Sequence, residues 1–532
     1  MNRHLPRRRG TRFAAALAGS IAVAVALSGC GAAATGQKDA GAEPGNVDPD
    51  AIIEAGISYS LNGSFDPMVA SGAVTVSANW HIFEGLVDLD PATQKPAPAL
   101  AADMPKKVDE TTYEIDIREG ATFQNGDPVT SDDVVFSYER VLDPANNSLF
   151  LSFIDFIDTV TAVDEDTVRI TTDYPFSLID DRLGVVKIVP KSVVEADPEA
   201  FGSKPVGSGP YKLVSAVPED KMVFERFEDY NGPHPALAAG MNWNLLADPS
   251  ARVTAMSTGT IQAMEDVPYI DVDGLASAAE VESVQSFGLL FMMFNTKAKP
   301  FDDPRVRQAL HYALDMDKII ETGMLGNATP ATSFLPENYP NYNEASTVYT
   351  YDPEKAKELL AEAGASDLSI TLLTTDTGWV KEVAPLIKES LDAVGVKTQL
   401  EIGQSAAMYE KVDSGDYTVA VAPGDPSVFG VDPDLLMNWW YGDNVWSNTR
   451  TAWADSPEYA ELTELLDQAV QQEGDEQQKS WNKAFDLLSE QAVLYPLFHR
   501  KLPTAWSSQQ LVGFEPVPTT GLSFLDVGVA AK

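Results

Sequence analysis

The four histidines after residue 30 are spaced in a way that disfavours catalysis and metal binding. They are His81, His234, His311 and His499, far apart in the chain and without an HExxH motif. The phosphate-binding pattern GxxxxGK[ST] and the nucleophile motif GxSxG are also absent from the sequence. The 79 acidic residues leave a catalytic carboxylate pair open, but no particular pair is indicated. We therefore expect a protein that is not an enzyme and has no metal site and no cofactor.

Aromatic side chains form the second group with chemical potential, because their flat faces can bind sugar rings, aromatic groups and apolar side chains. Three tryptophans lie close together at Trp439, Trp440 and Trp446, with Trp379 upstream and Phe429 just before them. Adjacent Trp439 and Trp440 cannot face the same way on one element. The sequence therefore predicts that part of this group belongs to the core and part to a ligand site.

Cys30 is the only cysteine in the chain, so an internal disulfide and a thiolate metal site are excluded. An arginine-rich segment at 1–12 and an apolar run at 13–27 precede it, a layout typical of a secretory signal peptide. Residues 27–30, LSGC, resemble the bacterial lipobox, in which the cysteine receives lipid and becomes the first residue. We expect a signal peptide at 1–29 and lipid attachment at Cys30; the alternative is a plain signal peptide.

The segment that follows Cys30 is small, polar and rich in glycine and alanine, which predicts a flexible tether over residues 30–48. No later apolar stretch is long enough to cross a bilayer. The sequence therefore predicts a protein on the outer face of the cell membrane, held there by lipid alone. The general secretory route is favoured over twin-arginine export.

Composition describes a large, acidic, globular protein. The chain has 532 residues, 44% of them hydrophobic, and a formal net charge of −42. Its length predicts two or three domains, and its charge disfavours contact with nucleic acid. The acidity is typical of a soluble surface, and selection of cationic ligands is the alternative. We expect a monomer.

The elements that must position these side chains are helices and strands in alternation. The alternating segment 111–118 predicts a strand, Thr130 or Ser131 begins a helix, and Asp302 or Asp303 begins another that extends through Ile320. Further elements follow from the same patterns: a helix at 353–363, strands at 369–373, 397–402, 417–422 and 493–498, a helix at 379–394 and two helices within 458–491. This order predicts the α/β class.

Five segments in order along the chain resemble one family over residues 53–515. They are IFEGLVDLD at 82–90, YEIDIREGATFQNGDPVTSDDVVFSYERVLDP at 113–144, VGSGPYKL at 206–213, FNTKAKPFDDPRVRQALHYALDMDKII at 294–320 and YDPEKAKELLAEAG at 351–364. The family is that of the family 5 extracellular solute-binding proteins of ABC importers. Ser208 departs from its pattern, which usually has threonine there.

The resemblance implies a two-lobed, periplasmic-binding-protein-like α/β fold with a hinge and an extra subdomain on the first lobe. Lobe one would comprise 49–88, 207–290 and 506–532, the extra subdomain 89–206, and lobe two 291–505, with crossovers near 291–295 and 501–506. The implied function is capture of a small peptide-like or other polar organic solute by closure, and its delivery to ABC permease subunits. A sugar or opine-like solute is an alternative; another is a hydrolase or assembly factor on the same scaffold.

The resemblance also implies where the solute would lie. In peptide-binding relatives an aspartate just after the strand at 417–422 binds the ligand ammonium, and Ala422 stands at that place here. Asp425 or Asp432 would then substitute for it, although each precedes proline and could instead serve turn chemistry. On lobe one, Ser71 and Gly72 match a region that touches ligand in relatives.

Overall fold

The computed structural model describes residues 46–532. Residues 1–29, Cys30 and most of the predicted tether lie outside the described residues. Within the described part, an eleven-stranded mixed sheet is the main framework. In this part of the chain no helix is both long and apolar enough to span a membrane.

Two long antiparallel strands run through the middle of this sheet, Glu280–Phe294 and Leu494–Trp506. One side of the pair carries strands from the segments assigned to lobe one, Ile52–Ile57, Tyr211–Val217, Lys221–Arg226, Gly240–Leu245 and Ala263–Met264. The other side carries strands from the lobe-two segment, Ser369–Thr375, Lys397–Gly403 and Val419–Gly424, and the short Ala328–Pro330 pairs with Leu494–Trp506. The central pair therefore connects the two groups of strands.

The register of the central pair shifts at two points, between Gln285 and Leu289 and between Leu290 and Phe291. Gln285 pairs with Lys501 and Leu289 pairs with His499, so residues 286–288 all face Arg500 alone. Bulges of this kind bend a strand and redirect side chains, and they are frequent beside functional sites. Arg500 thus lies at the first of these two irregular points of the ladder.

Smaller sheets lie outside this framework. A four-stranded sheet belongs to the predicted subdomain and contains Lys106–Lys107, Thr112–Asp116, Ile157–Ala162 and Thr167–Thr172. Two-stranded sheets pair Val87–Leu89 with Pro96–Pro98 and Leu511–Val512 with Gly528–Val529.

The α-helices of residues 46–532 are mostly short and surround the sheets. They are Ala73–Ile82, Ser131–Leu142, Leu151–Ile154, Ile179–Arg182, Lys191–Ala196, Pro198–Phe201, Pro249–Ser257, Val272–Leu275, Pro304–Tyr312, Met316–Gly323, Pro353–Glu362, Gly378–Ala393, Ser405–Asp413, Pro433–Tyr441, Pro457–Val470 and Gly474–Gln491. The helices and strands predicted from residue 353 onward are confirmed with shifts of a few residues at their ends, except that the strand predicted at 493–498 extends to Trp506.

Local sequence explains where the helices begin. Thr130 forms a capping box with Asp133 at the start of Ser131–Leu142, as its position predicted. Asp303 accepts a hydrogen bond from the backbone of Arg305 and begins Pro304–Tyr312. The prediction of one helix through Ile320 was wrong. The chain leaves the helix after Tyr312, and Asp315 caps the separate helix Met316–Gly323.

The predicted subdomain packs against both groups of strands. Backbone hydrogen bonds from Ala99 and Ala101 to Leu86 join it to lobe one. On the other side its core is continuous with lobe two, because Phe153 stacks on Trp439 with ring centroids 6.2 Å apart. The predicted subdomain therefore contacts segments of both predicted lobes.

Candidate ligand-binding cleft

A cavity of about 710 Å³ lies between segments assigned to the two lobes. Its walls come from three regions of lobe one, around residues 58–59, 247–252 and 266–270, and two regions of lobe two, 322–325 and 377–382. Volumes of 300–1,000 Å³ are typical of small-molecule sites. The cavity is therefore large enough for a small organic solute that touches both sides.

Trp379 lines this cavity, as expected of a cleft tryptophan. Its ring packs at 6.0 Å from Phe498, centroid to centroid, and the guanidinium carbon of Arg500 lies 5.3 Å from its ring centre. A cation over an indole face is attracted by the electron-rich ring. The ring of Trp379 therefore stabilises the guanidinium group of Arg500 beside the cavity wall.

Arg500 is surrounded by polar side chains from lobe one. Its Nη2 donates a long hydrogen bond of 3.4 Å to the hydroxyl of Tyr59, and its Nη1 lies 3.5 Å from Oδ1 of Asp266. Although burial opposes the charged form, Tyr59, Tyr269 and Asp266 raise the pKa of Arg500 above its usual range. The group is therefore a permanent cation between the two lobes.

Asp425 lies at the end of strand Val419–Gly424, on the lobe-two side. Its Oδ1 accepts hydrogen bonds from the backbone NH of Ser427 at 3.1 Å and from the Ser427 hydroxyl at 2.6 Å. Its Oδ2 is buried without a hydrogen-bond partner among the described residues. Burial raises the pKa of Asp425 to about 6, and the two bonds from Ser427 offset only part of that effect. One carboxylate oxygen of Asp425 thus stabilises a turn, and the other has no hydrogen-bond partner among the described residues.

Gly288 separates Asp425 from Arg500. A Cβ atom at this position would lie 3.2 Å from Oδ2 of Asp425 and 3.6 Å from Cγ of Arg500. Contacts of 3.0–3.4 Å are tighter than most real Cβ contacts. The glycine therefore keeps space open beside the free carboxylate oxygen, at the bulge in the central strand pair.

A second, smaller cavity of about 80 Å³ adjoins Ser427 and Phe429. Phe429 also packs against Phe150 of the subdomain, with ring centroids 5.1 Å apart. The Ser427 hydroxyl lies 3.2 Å from Oγ1 of Thr519, which belongs to the C-terminal segment of lobe one. Asp425 is thus connected through Ser427 to a contact between the predicted lobes.

The clustered tryptophans divide between core and subdomain contacts. Trp440 is 1% exposed and packs against Phe287 and Phe291 in the core. Trp446 packs edge-on against Phe291, and Arg450 lies over its ring at 4.1 Å. Trp439 faces the subdomain. None of the three tryptophans lines the 710 Å³ cavity or the smaller one, and Asp425 does not line either of them.

The lobe-one candidates lie at the start of helix Ala73–Ile82. Ser71 is exposed, and Gly72 is the N-cap residue. A Cβ at Gly72 would lie 2.7 Å from Oδ1 of Asn62, so the glycine permits a close approach between two loops. The neighbouring Ala70 lines the smaller cavity, whereas neither Ser71 nor Gly72 lines it. The structure therefore shows a packing role for Gly72.

Asp432 is fully engaged and has no oxygen free for a ligand. Its Oδ2 and Oδ1 accept hydrogen bonds from Nε and Nη2 of Arg182 at 2.9 and 2.8 Å. Its Oδ1 also accepts from the backbone NH of Leu435, capping helix Pro433–Tyr441. Asp434 contacts the same guanidinium at 2.5 Å. Of the two aspartates considered for a cationic group, Asp425 alone has an unpartnered oxygen among the described residues.

Arg500 and the tyrosines beside it were not predicted from the sequence. A signal was present, since Arg500 interrupts the long apolar run from Val493 to Trp506. Such a charge inside a buried strand is rare unless it has a partner. Tyr59 and Tyr269 have no comparable signal, because their proximity to Arg500 depends on pairings far apart in the sequence.

Two of the histidines, His81 and His311, are buried in the interior. His81 is completely buried, its Nδ1 contacts the Ser77 carbonyl at 2.9 Å, and its Nε2 accepts a hydrogen bond from the backbone NH of Phe524. Burial lowers the pKa of His81 to about 4 and that of His311 to about 3. Within residues 46–532 no three histidine or acidic side chains converge on a possible metal position.

Comparison with known proteins places the chain in a family. Residues 95–448 match the model of the bacterial extracellular solute-binding proteins, family 5 Middle. This match covers more than half of the sequence, and the chain therefore belongs to this family of solute-binding proteins of ABC importers. The family consists of binding proteins rather than enzymes.

Individual relatives extend over nearly the whole chain. The glutathione-binding protein GsiB of Escherichia coli (strain K12) is 28% identical over 489 residues, covering 90% of this chain and 94% of GsiB. The periplasmic binding protein AgaA of A. tumefacien R10, solved with agropinic acid, has a TM-score of 0.79 at 27% identity, covering 90% of this chain and 99% of AgaA. DppA of Helicobacter pylori, solved with the peptide STSA, has a TM-score of 0.78 at 24% identity, covering 91% and 98%. The expected two-lobed α/β fold is thereby confirmed.

Proposed function

We propose that this protein captures a small peptide-like or opine-like solute in the cleft between its lobes and delivers it to an ABC permease. The observation that carries the proposal is the 710 Å³ cavity with walls from both lobes. A solute that touches both walls stabilises the closed state through contacts that the open state lacks. Asp425 does not line this cavity, but its free, buried carboxylate oxygen would bind a cationic group of a solute that reaches it.

Three relatives support a polar organic solute. GsiB is named for glutathione, and AgaA and DppA were solved with agropinic acid and the peptide STSA. All three compounds combine polar groups with a small size that suits the cavity. Trp379 and Tyr269 would provide apolar contact surface, and Asp425 and the polar groups around it would fix orientation.

A lipid anchor at Cys30 would keep the protein beside its permease. One acyl chain binds membranes only weakly, so stable attachment needs more than one chain. The residues before Cys30 have the layout of a lipoprotein signal. Mass spectrometry of the exported protein tests this part, and an unmodified cysteine or an earlier start of the mature chain would contradict it.

Ligand capture is tested by thermal shift and small-angle X-ray scattering with glutathione, agropinic acid and the peptide STSA as probes. At least one probe should raise the melting temperature and reduce the radius of gyration, because closure compacts the molecule. Glucose and spermidine serve as a neutral and a purely cationic control. If no probe stabilises or compacts the protein, the proposed function is contradicted.

A further inference from the structure

Residues 46–48, which the sequence assigns to the tether, are paired with residues 529–531 in the folded protein. The two segments run antiparallel, with a bridge between Val47 and Ala530. Two backbone hydrogen bonds, of 2.7 and 3.0 Å, join them; they run from the amide of Asp48 to the carbonyl of Val529 and from the amide of Ala531 to the carbonyl of Asn46. We call this pair of segments the clasp.

Val47 occupies a space that Gly528 leaves open. A Cβ atom at Gly528 would lie 2.6 Å from Cγ1 of Val47 and 3.2 Å from Cβ of Leu237. Real Cβ atoms essentially never show contacts under 3.0 Å, so a larger residue at this position would displace Val47. Gly528 is not among the glycines with positive φ. The position therefore requires glycine for the close approach of Val47 and not for its backbone conformation.

The residues between the clasp and the first strand, Ile52–Ile57, are also attached. Nη1 of Arg226 donates a hydrogen bond of 2.9 Å to the carbonyl of Pro49. The amide of Ala239 donates one of the same length to the carbonyl of Ala51. The chain is thus held from residue 46 onward.

The clasp belongs to the core of lobe one. Ile53 and Val527 lie in one buried cluster, and Val529 packs against it. Among the described residues, this cluster takes no member from 291–505, the segment assigned to lobe two. A hinge motion that separates the lobes therefore leaves the clasp with lobe one.

We propose that the clasp fixes the point at which the membrane tether leaves the body, so that the tether ends before residue 46 and holds lobe one alone. The link to the membrane rests on the lipid anchor at Cys30 in the proposed function. Residues 30–45 reach at most about 55 Å when fully extended, and release of residues 46–51 would add about 20 Å. The clasp therefore limits how far the body can move from the membrane, while lobe two can move without pulling on the lipid.

Hydrogen exchange of the full mature protein, followed by mass spectrometry, tests the clasp. Ala531→Pro removes the amide that donates to Asn46, and exchange in residues 46–51 should become about tenfold faster or more, because local opening exposes the amide of Asp48. Lys532→Pro, at the exposed neighbouring position, is the matched control and should keep the wild-type rate. Unchanged exchange in folded Ala531→Pro would overturn the proposal.

A second pair of substitutions tests the clasp without proline and decides the matter if Ala531→Pro does not fold. Gly528→Ala places a Cβ atom against Val47 and should also accelerate exchange in residues 46–51. Adding Val47→Ala removes the crowded Cγ1 atom and should restore protection. Wild-type protection in Gly528→Ala, or no recovery in the double variant, would contradict the close fit of Val47 on which the clasp depends.

Fluorescence energy transfer on phosphatidylcholine vesicles that contain a rhodamine-labelled lipid tests the reach of the tether. A donor dye on exposed Lys221→Cys reports the distance of lobe one from the membrane. Transfer should fall in Ala531→Pro, and deletion of residues 34–39 should restore it, because this removes as many residues as the clasp releases. Equal transfer in the clasped and released proteins would overturn the assignment of the tether exit. A protein that does not bind the vesicles would contradict the lipid anchor of the proposed function, while the exchange rates would still decide whether the clasp exists.

Discussion

At the scale of single residues, Asp425 combines a structural and a ligand-directed role in one carboxylate. Oδ1 is held by Ser427 and begins the short helical turn Pro426–Val428, while Oδ2 is buried and free. Because burial raises the pKa of this group to about 6, a solute cation must compete with a proton for it. The same atom that recognises the cation therefore makes binding sensitive to mild acid.

The affinity for the peptide STSA should fall about tenfold between pH 7 and pH 5. Below a pKa of about 6 the empty site is increasingly protonated, and the proton must leave before the ammonium binds. The peptide termini titrate near 3.5 and 8 and contribute little in this range. Calorimetric titrations at five pH values measure the effect. Asp425→Asn should bind weakly with a flat profile, and a flat profile in the wild type would contradict the prediction.

The sequence predicted the local role of these aspartates better than their distant partners. Asp425 and Asp432 each precede proline, and both begin a helical turn, as turn chemistry predicts. Arg182 binds Asp432 although the two are 250 residues apart in the sequence. Neither periodicity nor capping rules predict such a pairing. Whether a carboxylate is free or engaged is a property of the folded chain.

At the scale of elements, the buried contact between helices Ile179–Arg182 and Pro433–Tyr441 holds the subdomain against lobe two. Arg182 binds both carboxylates, Asp432 and Asp434, and donates to the carbonyl of Phe153 at 2.8 Å. Its side chain is 2% exposed, so the charges have little contact with water. Removal of the arginine would leave the two buried carboxylates without a compensating positive charge.

Arg182→Met should therefore lower the free energy of unfolding by about 3–5 kcal/mol. Urea denaturation followed by tryptophan fluorescence measures it. Arg169→Met is the matched control, because its pair with Glu114 is 44% and 27% exposed, and it should cost less than about 1 kcal/mol. Equal effects of the two substitutions would mean that the Arg182 contact does not persist in solution.

Element boundaries were predictable wherever a local cap determined them. The capping box at Thr130 and the aspartate caps at Asp303 and Asp352 lie where the sequence placed a helix start. The apolar pattern that continued through Ile320 concealed a break, because two short helices on one core share a buried face as a single long one would. The bulge opposite Arg500 has no local signature, since it is defined by two strands that are about two hundred residues apart.

At the scale of the whole molecule, the described conformation brings lobe-one and lobe-two residues into direct contact. The hydroxyl oxygens of Ser427 and Thr519 are 3.2 Å apart, and both side chains are buried. Sulfur atoms at these positions would be close enough for a disulfide after a small adjustment, because a bond of about 2.05 Å joins Cβ atoms about 3.8 Å apart. Cys30 is the only cysteine of the natural chain, so an introduced pair has a single competitor.

The double variant Ser427→Cys and Thr519→Cys, made in a Cys30→Ser background, should form a disulfide under mild oxidation and lock the lobes together. Locking should slow dissociation of a bound probe by a factor of ten or more, since release requires opening, and a reductant should restore the original rate. Stopped-flow tryptophan fluorescence measures the rate, and mass spectrometry counts the free thiols. Each single-cysteine variant is the control for side-chain replacement.

Two thiols that stay free under oxidation in the presence of the peptide STSA would mean that the lobes do not reach this contact in solution. A disulfide that leaves the release rate unchanged would mean that solute leaves by a route that needs no opening.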